Sequence, residues 1–122
     1  MKEWELKLLL SSDKPRYEQV DELDEGAVLY LSKIIDRSRD AGKVAKSVLA
    51  ASRDRGQFRP LCEAFVLAAA TSKEVAVRRA AADAARNLSS DGKDKVLAIL
   101  KDDPDPGVQR TAAVSAQARL RL

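Results

Sequence analysis

Residues 73–88, KEVAVRRAAADAARNL, decide the fold of this chain. They are rich in alanine, the residue that costs least in a helix, and they predict one long helix. Residues 106–119, PGVQRTAAVSAQAR, repeat much of this pattern later in the chain, and residues 93–100 between them predict a shorter apolar helix. A helix, a turn, a second helix and then the first helix again is typical of stacked helical repeats.

The two segments align at a shift of 31 residues. Residues 61–70 fall on residues 92–101, and both segments carry apolar side chains ahead of a corner. Five positions of the long alanine-rich helix recur in its copy: Val77, Arg79, Ala81, Ala82 and Ala85 fall on Val108, Arg110, Ala112, Ala113 and Ala116. The match is clearest over residues 60–122.

These residues resemble the short, alanine-rich HEAT-like repeats found in bacterial proteins and in phycobilin lyase subunits. The resemblance lies in residues 74–88, EVAVRRAAADAARNL, and in residues 94–120, DKVLAILKDDPDPGVQRTAAVSAQARL. The shared pattern is an apolar helix, an Asp-Pro corner, then Val-Arg and alternating Ala before a Leu. Gln109 departs from the pattern by replacing the Arg after Val, and the Gly expected after Leu88 is displaced to Gly92.

The resemblance implies an all-α, right-handed α-α superhelix of about five to seven helices. It also implies that Arg78 is structural, because in such repeats this Arg bonds acidic groups of a neighbouring repeat. The second helices of the repeats would line a concave surface.

Composition supports an all-helical fold. Hydrophobic residues make up 45% of the 122 residues but aromatic residues only 4%, whereas a sheet would use more aromatic and β-branched side chains. We expect one domain over residues 1–122, with residues 1–26 as an N-terminal cap and acidic connector and residues 27–122 as stacked helices. Periodicity predicts the following helices: 27–39, 43–55, 60–70, 73–88, 93–100 and 106 onward.

Residues 2–12 are ambiguous, because their leucines fit the alternation of a strand as well as one helical face. We favour a helix that covers the first end of the stack, since no other stretch offers a partner strand. Trp4 is then predicted to cap apolar surface rather than to bind a partner.

The chain carries no recognisable catalytic constellation. It has no His, which removes the commonest general base and metal ligand. Cys62 is predicted to be a small buried hydrophobe. Asp102, Asp103 and Asp105 invite a catalytic or metal-binding interpretation, but Asp is favoured at helix caps and turns, and that role is the one we predict. We therefore expect a non-enzyme with no cofactor and no metal.

The sequence also bears on the cellular compartment of the protein. The N-terminus is too acidic for a secretory signal, and no run approaches the roughly 18 apolar residues of a membrane helix. A single Cys gives no sign of an oxidising compartment. We expect a cytoplasmic protein without a membrane partner.

The leading functional hypothesis is a protein–protein interaction scaffold, because helical stacks expose extended binding faces. If the second helices line the concave face, six charged residues face the partner: Lys33, Arg37, Arg59, Glu63, Lys93 and Lys95. The last helix carries more apolar surface than one neighbouring helix would cover. Val114 and Leu120 are therefore predicted to dock on a partner or on a second copy, as a homodimer.

Nucleic-acid binding is the alternative. Residues 33–59 carry a local net charge of +5, from the following eight bases and three acids: Lys33, Arg37, Arg39, Lys43, Lys46, Arg53, Arg55 and Arg59 against Asp36, Asp40 and Asp54. Aromatic side chains are not interleaved with these charges, which argues against a single-strand stacking platform. A lyase-like or chaperone role toward a bound chromophore is suggested by the resemblance alone.

Overall fold

The computed structural model describes residues 1–118. In this range the chain forms seven α-helices and two 3₁₀ turns, with no strand. The helices are α1 (Glu3–Leu10), α2 (Glu25–Arg37), α3 (Ala41–Ala51), α4 (Arg59–Ala69), α5 (Val75–Ala84), α6 (Ser90–Leu100) and α7 (Pro106–Ala118). The 3₁₀ turns are Tyr17–Gln19 and Ala85–Asn87. The expectation of an all-α fold with five to seven helices is confirmed, and the handedness of the superhelix stays a prediction.

Aspartate caps set where two helices begin. The Asp24 carboxylate accepts a hydrogen bond from the Ala27 amide at 2.8 Å, so α2 starts two residues earlier than periodicity predicted. The Asp40 carboxylate accepts from the amides of Gly42 and Lys43, which likewise starts α3 two residues early. Both caps satisfy amides that have no partner within the helix.

The helices pack as two layers. Helices α2, α4 and α6 form one layer, and α3, α5 and α7 form the other, with α5 between α3 and α7. The α3–α5–α7 layer is the more closely packed, because its facing side chains are mostly alanines that let the backbones approach. Helix α1 packs against α2 at the first end.

Two clusters of buried side chains hold the layers together. The first lies among α3 to α7 and is built mainly from alanine and valine, including Ala80, Ala81, Ala84, Val66, Val96 and Val108. The second lies around α1 and α2 and uses larger side chains, including Leu6, Leu23, Leu31, Tyr17, Phe58 and Phe65. All the aromatic residues of the chain except Trp4 belong to the second cluster or pack against it.

Residues 2–12 form a helix, as favoured, but the expectation for Trp4 was wrong. Leu6 is fully buried, whereas Trp4 is 65% exposed. The two residues lie about 200° apart around the helix, so α1 cannot bury both against α2. Most of the Trp4 side chain is therefore left uncovered by the rest of residues 1–118.

Candidate interaction surfaces

Arg78 joins two successive corners of the stack. Its guanidinium donates to both carboxylate oxygens of Asp103, from Nε at 2.8 Å and from Nη2 at 3.3 Å. It also donates to the backbone carbonyls of Ser72 and Lys73, at 3.0 and 3.1 Å. The bond from Arg78 holds the pKa of the Asp103 carboxyl below its ordinary value, although burial opposes this. The structural role expected for Arg78 is confirmed in its contacts.

Two of the aspartates after α6 accept hydrogen bonds from backbone amides of the turn. Asp103 accepts from the Asp105 amide at 2.9 Å, and Asp105 accepts from the Val108 amide at 2.9 Å, which caps α7. Asp102 is exposed. Among residues 1–118 no group of carboxylates, cysteines or histidines is arranged to hold a metal ion. The predicted cap and turn account for both inward-facing carboxylates.

Gln109 makes one of the hydrogen bonds that Arg78 makes at the equivalent position, the one to a backbone carbonyl. Its side-chain amide donates to the Asp103 carbonyl, six residues back, as Arg78 donates to the Ser72 carbonyl six residues back. The pairs Arg78–Ser72 and Gln109–Asp103 are related by the 31-residue shift. Gln109 thus keeps the bond within its own corner without carrying a charge to a neighbouring repeat.

Glu63 accepts hydrogen bonds from Ser89, the residue at the start of α6. Its two carboxylate oxygens accept from the amide and the hydroxyl of Ser89, both at 2.8 Å, and Arg59 donates to it at 3.2 Å. Burial would raise the pKa of Glu63, but the bonds from Ser89 and Arg59 outweigh it and lower the pKa. A side chain at Gly92 would collide with the Glu63 carboxylate, so Gly92 keeps this approach open.

The six charges predicted to face a partner do lie on one layer, α2, α4 and α6. Lys33, Arg37 and Lys95 are exposed there, whereas Arg59 and Glu63 are partly buried and bonded as described. Lys93 departs from the expectation, because only 5% of its surface is exposed. Lys93 stands three and seven residues before the buried Val96 and Leu100, so it shares their face of α6.

The basic residues of 33–59 do not form one stripe. Arg53 and Arg55 donate to Asn87 and tie the loop after α3 to the second 3₁₀ turn. Lys46 donates to the Ser12 carbonyl at 3.0 Å. Lys43 lies on the opposite layer from Lys33 and Arg37. The charges are therefore divided between two layers and a loop.

Cys62 is buried beside a carboxylate. Burial, with an added contribution from Asp54, raises the pKa of the Cys62 thiol to about 12. Asp54 is itself buried and accepts from the Leu23 amide at 2.7 Å, which fastens the segment before α2 to the loop after α3. A thiol with a raised pKa is a poor nucleophile, so the predicted structural role of Cys62 is confirmed.

An apolar patch lies on the outer side of α1. Trp4 and Leu8, one helical turn apart, are 65% and 69% exposed. They border a shallow groove of about 430 Å³ between α1 and the first 3₁₀ turn, which is also lined by Met1, Glu5, Leu9, Ser12, Arg16 and Gln19. We call Trp4 and Leu8 the α1 patch. Sequence reasoning missed it because residues 2–12 offered several leucines and only the packing against α2 shows which one is buried.

A basic groove of about 530 Å³ lies between α5 and α7. Its lining residues are Arg79, Asp83, Arg86, Arg110, Thr111 and Val114. Val114 is exposed, as its predicted docking role requires, whereas Leu120 lies outside the described residues. Val108 and Ala112, apolar residues of the same helix, are buried against the rest of the stack, because α7 packs on both α5 and α6. We call this the arginine groove.

A third concave surface lies between α1, α2 and α3. It has a volume of about 430 Å³, and Lys7, Lys43, Lys46 and Tyr30 contribute to its lining. The Lys7 ammonium stands 5.1 Å from the centre of the Tyr30 ring, and Lys46 is held by Ser12. Two of its three lysines are therefore engaged within the fold.

No family model matches the chain, and neither a curated protein nor a solved structure matches it. None of the helices in residues 1–118 is both long enough and apolar enough to span a membrane.

Proposed function

We propose that this chain is a non-enzymatic, cytoplasmic protein-interaction module of the HEAT-like kind and that the α1 patch is its principal docking surface. The observation that carries the proposal is the exposure of Trp4 and Leu8 on adjacent turns of one helix. Tryptophan is among the residues most enriched at the energetic centres of protein interfaces. Exposed apolar surface bordering a groove is typical of a docking site.

Charge favours a basic, apolar segment of another protein as the occupant. Residues 1–26 contain eight acidic side chains and four basic ones, and of these Glu5 and Arg16 line the groove beside the patch. Complementary charge speeds encounter and selects partners, while apolar contacts provide most of the binding energy. The same acidic surroundings disfavour a nucleic acid at this end of the molecule.

Comparative capture tests the proposal. The wild-type chain and the variants Trp4→Ala and Leu8→Ala are used as baits, with Leu29→Ala as the matched control, because Leu29 is similarly exposed at 55% but lies on α2. We expect a protein that binds the wild type and Leu29→Ala but is lost from both α1 variants. Equal capture by all four baits would show that the α1 patch is not the docking surface.

Fluorescence then verifies contact at the patch. Trp4 is the only tryptophan, so the intrinsic emission reports on this one position. Titration with the purified partner is expected to shift the emission to shorter wavelength as the partner excludes water from the indole ring. Binding without any change in emission would place the partner elsewhere.

The predicted partner-facing charges on α2 are tested in the same assay. The double variant Lys33→Glu, Arg37→Glu changes two exposed side chains, so its melting temperature should stay close to that of the wild type. Weakened capture would assign part of the interface to the α2–α4–α6 layer. Light scattering of the wild type and Val114→Glu tests the homodimer hypothesis, which fails if the wild type is a monomer at all concentrations.

A further inference from the structure

The arginine groove is a second surface that the proposed docking role of α1 does not use. Of its six lining residues within 1–118, three are arginines, contributed by α5, the second 3₁₀ turn and α7, and one, Asp83, is acidic. The groove lies on the α3–α5–α7 layer, away from α1 in the stack. Its properties are therefore argued independently of the α1 patch.

The guanidinium groups differ in how far they are neutralised. Arg86 is paired with Asp83 at 2.9 Å. Arg79 is 3.6 Å from the Asp105 carboxylate, beyond good hydrogen-bond distance, and its side chain is half exposed. Arg110 is exposed and forms no ion pair within residues 1–118. Two of the three arginines thus keep donor capacity for an external anion.

The repeat places two of these arginines in register. Arg79 and Arg110 are equivalent at the 31-residue shift, so they project from the same height of adjacent helices. Adjacent packed helices lie about 8–10 Å apart. The Arg79 guanidinium lies against Gly107, and a side chain at that position would make the guanidinium shift. The register is a property of the repeat and not of one loop.

We propose that the arginine groove binds an acidic, extended segment of a partner protein. Arginine recognises carboxylates through paired N–H donors. In an extended chain, residues two or three apart are separated by about 7–10 Å, which matches the spacing of the two helices. Val114 adds an exposed apolar contact beside the charges. The carboxylate of Asp83 within the lining disfavours a continuous polyphosphate, so a peptide fits this groove better than a nucleic-acid backbone.

Fluorescence anisotropy with a defined probe tests this proposal. The probe is a fluorescein-labelled peptide of about twelve residues with glutamate at every second position, serine between them and one central leucine. Wild type is compared with Arg110→Glu and with Lys101→Glu, which changes the net charge equally at an exposed position directly after α6, in the other layer. We expect Arg110→Glu to weaken binding about tenfold and Lys101→Glu less than about twofold.

A charge-neutral variant separates geometry from net charge. Gly107→Ala leaves the charge unchanged and displaces the Arg79 guanidinium, so it should weaken binding by about two- to threefold while the helical circular dichroism is unchanged. Equal losses in Arg110→Glu and Lys101→Glu would overturn the proposal, since they would indicate unspecific attraction. Absence of peptide binding at low salt would also overturn it. Tighter binding of a duplex DNA probe, lost in Arg110→Glu, would reassign the groove to nucleic acid.

Discussion

The two core clusters are packed in different ways. Among α3 to α7, alanines and valines fill the space between close helices. Around α1 and α2, leucines and aromatic rings fill wider gaps between the first helix, the first 3₁₀ turn and the loop after α3. The cause is regularity, because repeated helices can all approach to the same short distance, whereas an irregular first end needs large side chains of particular shape.

This difference predicts opposite sensitivities to substitution. We call the cluster around α1 and α2 the irregular cluster and the one among α3 to α7 the regular cluster. Stability should fall most in the irregular cluster when large side chains are removed, and most in the regular cluster when they are introduced. The following substitutions test the contrast in order of expected effect.

Leu31→Ala should cause the largest loss of stability. Leu31 is fully buried in the cluster around α1 and α2, so the substitution leaves a cavity and should lower the free energy of unfolding by about 2–5 kcal/mol. Urea unfolding measures this. Leu29→Ala, on the exposed side of the same helix, should change it by less than about 0.5 kcal/mol. Similar losses in both variants would contradict the proposed packing of α2.

Arg78→Leu should be the next most harmful change. It removes the donors that satisfy the buried Asp103 carboxylate and should cost about 2–3 kcal/mol at neutral pH. Arg79→Leu is the matched control, because its ion pair with Asp105 is long and half exposed. A stability of Arg78→Leu equal to that of the control would show that the bridge does not hold the corners together.

The same pair predicts a pH dependence. The pKa of Asp103 is lowered in the folded state, so its contribution to stability is fully present above the unfolded pKa and is lost as the pH falls through the folded pKa. The pKa of Glu63 is also lowered, so its contribution to the stability of both proteins is lost in the same pH direction. The stability difference between wild type and Arg78→Leu should therefore shrink below about pH 4. A constant difference from pH 7 to pH 3 would contradict this account.

Ala81→Leu tests the regular cluster by introducing a larger side chain. Ala81 is fully buried between close helices, so the larger side chain should force them apart and cost about 1–3 kcal/mol. Ala76→Leu, on the exposed face of the same helix, should be nearly neutral. Thermal unfolding of both variants decides the matter, and a neutral Ala81→Leu would mean that the layer is loosely packed.

Gln109→Ala should have the smallest measurable effect. It removes one bond to the Asp103 carbonyl and should cost about 0.5–1.5 kcal/mol. Gln109→Arg restores the residue found in the other copy and can keep that bond, so it should be close to wild type. If Gln109→Arg were as unstable as Gln109→Ala, the equivalence of the two corners would fail.

The alanine pattern and the Asp-Pro corner carried enough information to place most of the helices. Their ends were less visible, because Asp24 and Asp40 cap helices two residues before the apolar periodicity begins. The structural role of Arg78 was expected from the resemblance, but its partner Asp103 emerged only when the corners were brought together. The repeat shift already paired Arg79 with Arg110, and this was the available signal for the arginine groove.

The sequence by itself determined the helical class and the 31-residue shift of the side-chain pattern, because these depend on local propensity and on spacing along the chain. Only the tertiary structure decided that Leu6 is buried and Trp4 exposed, and that the basic residues of 33–59 are divided between two layers. These outcomes depend on which face of a helix meets a neighbour, and several faces of α1 and α2 carry apolar residues. Burial is a property of the assembled layers, so periodicity within one helix cannot choose among such faces.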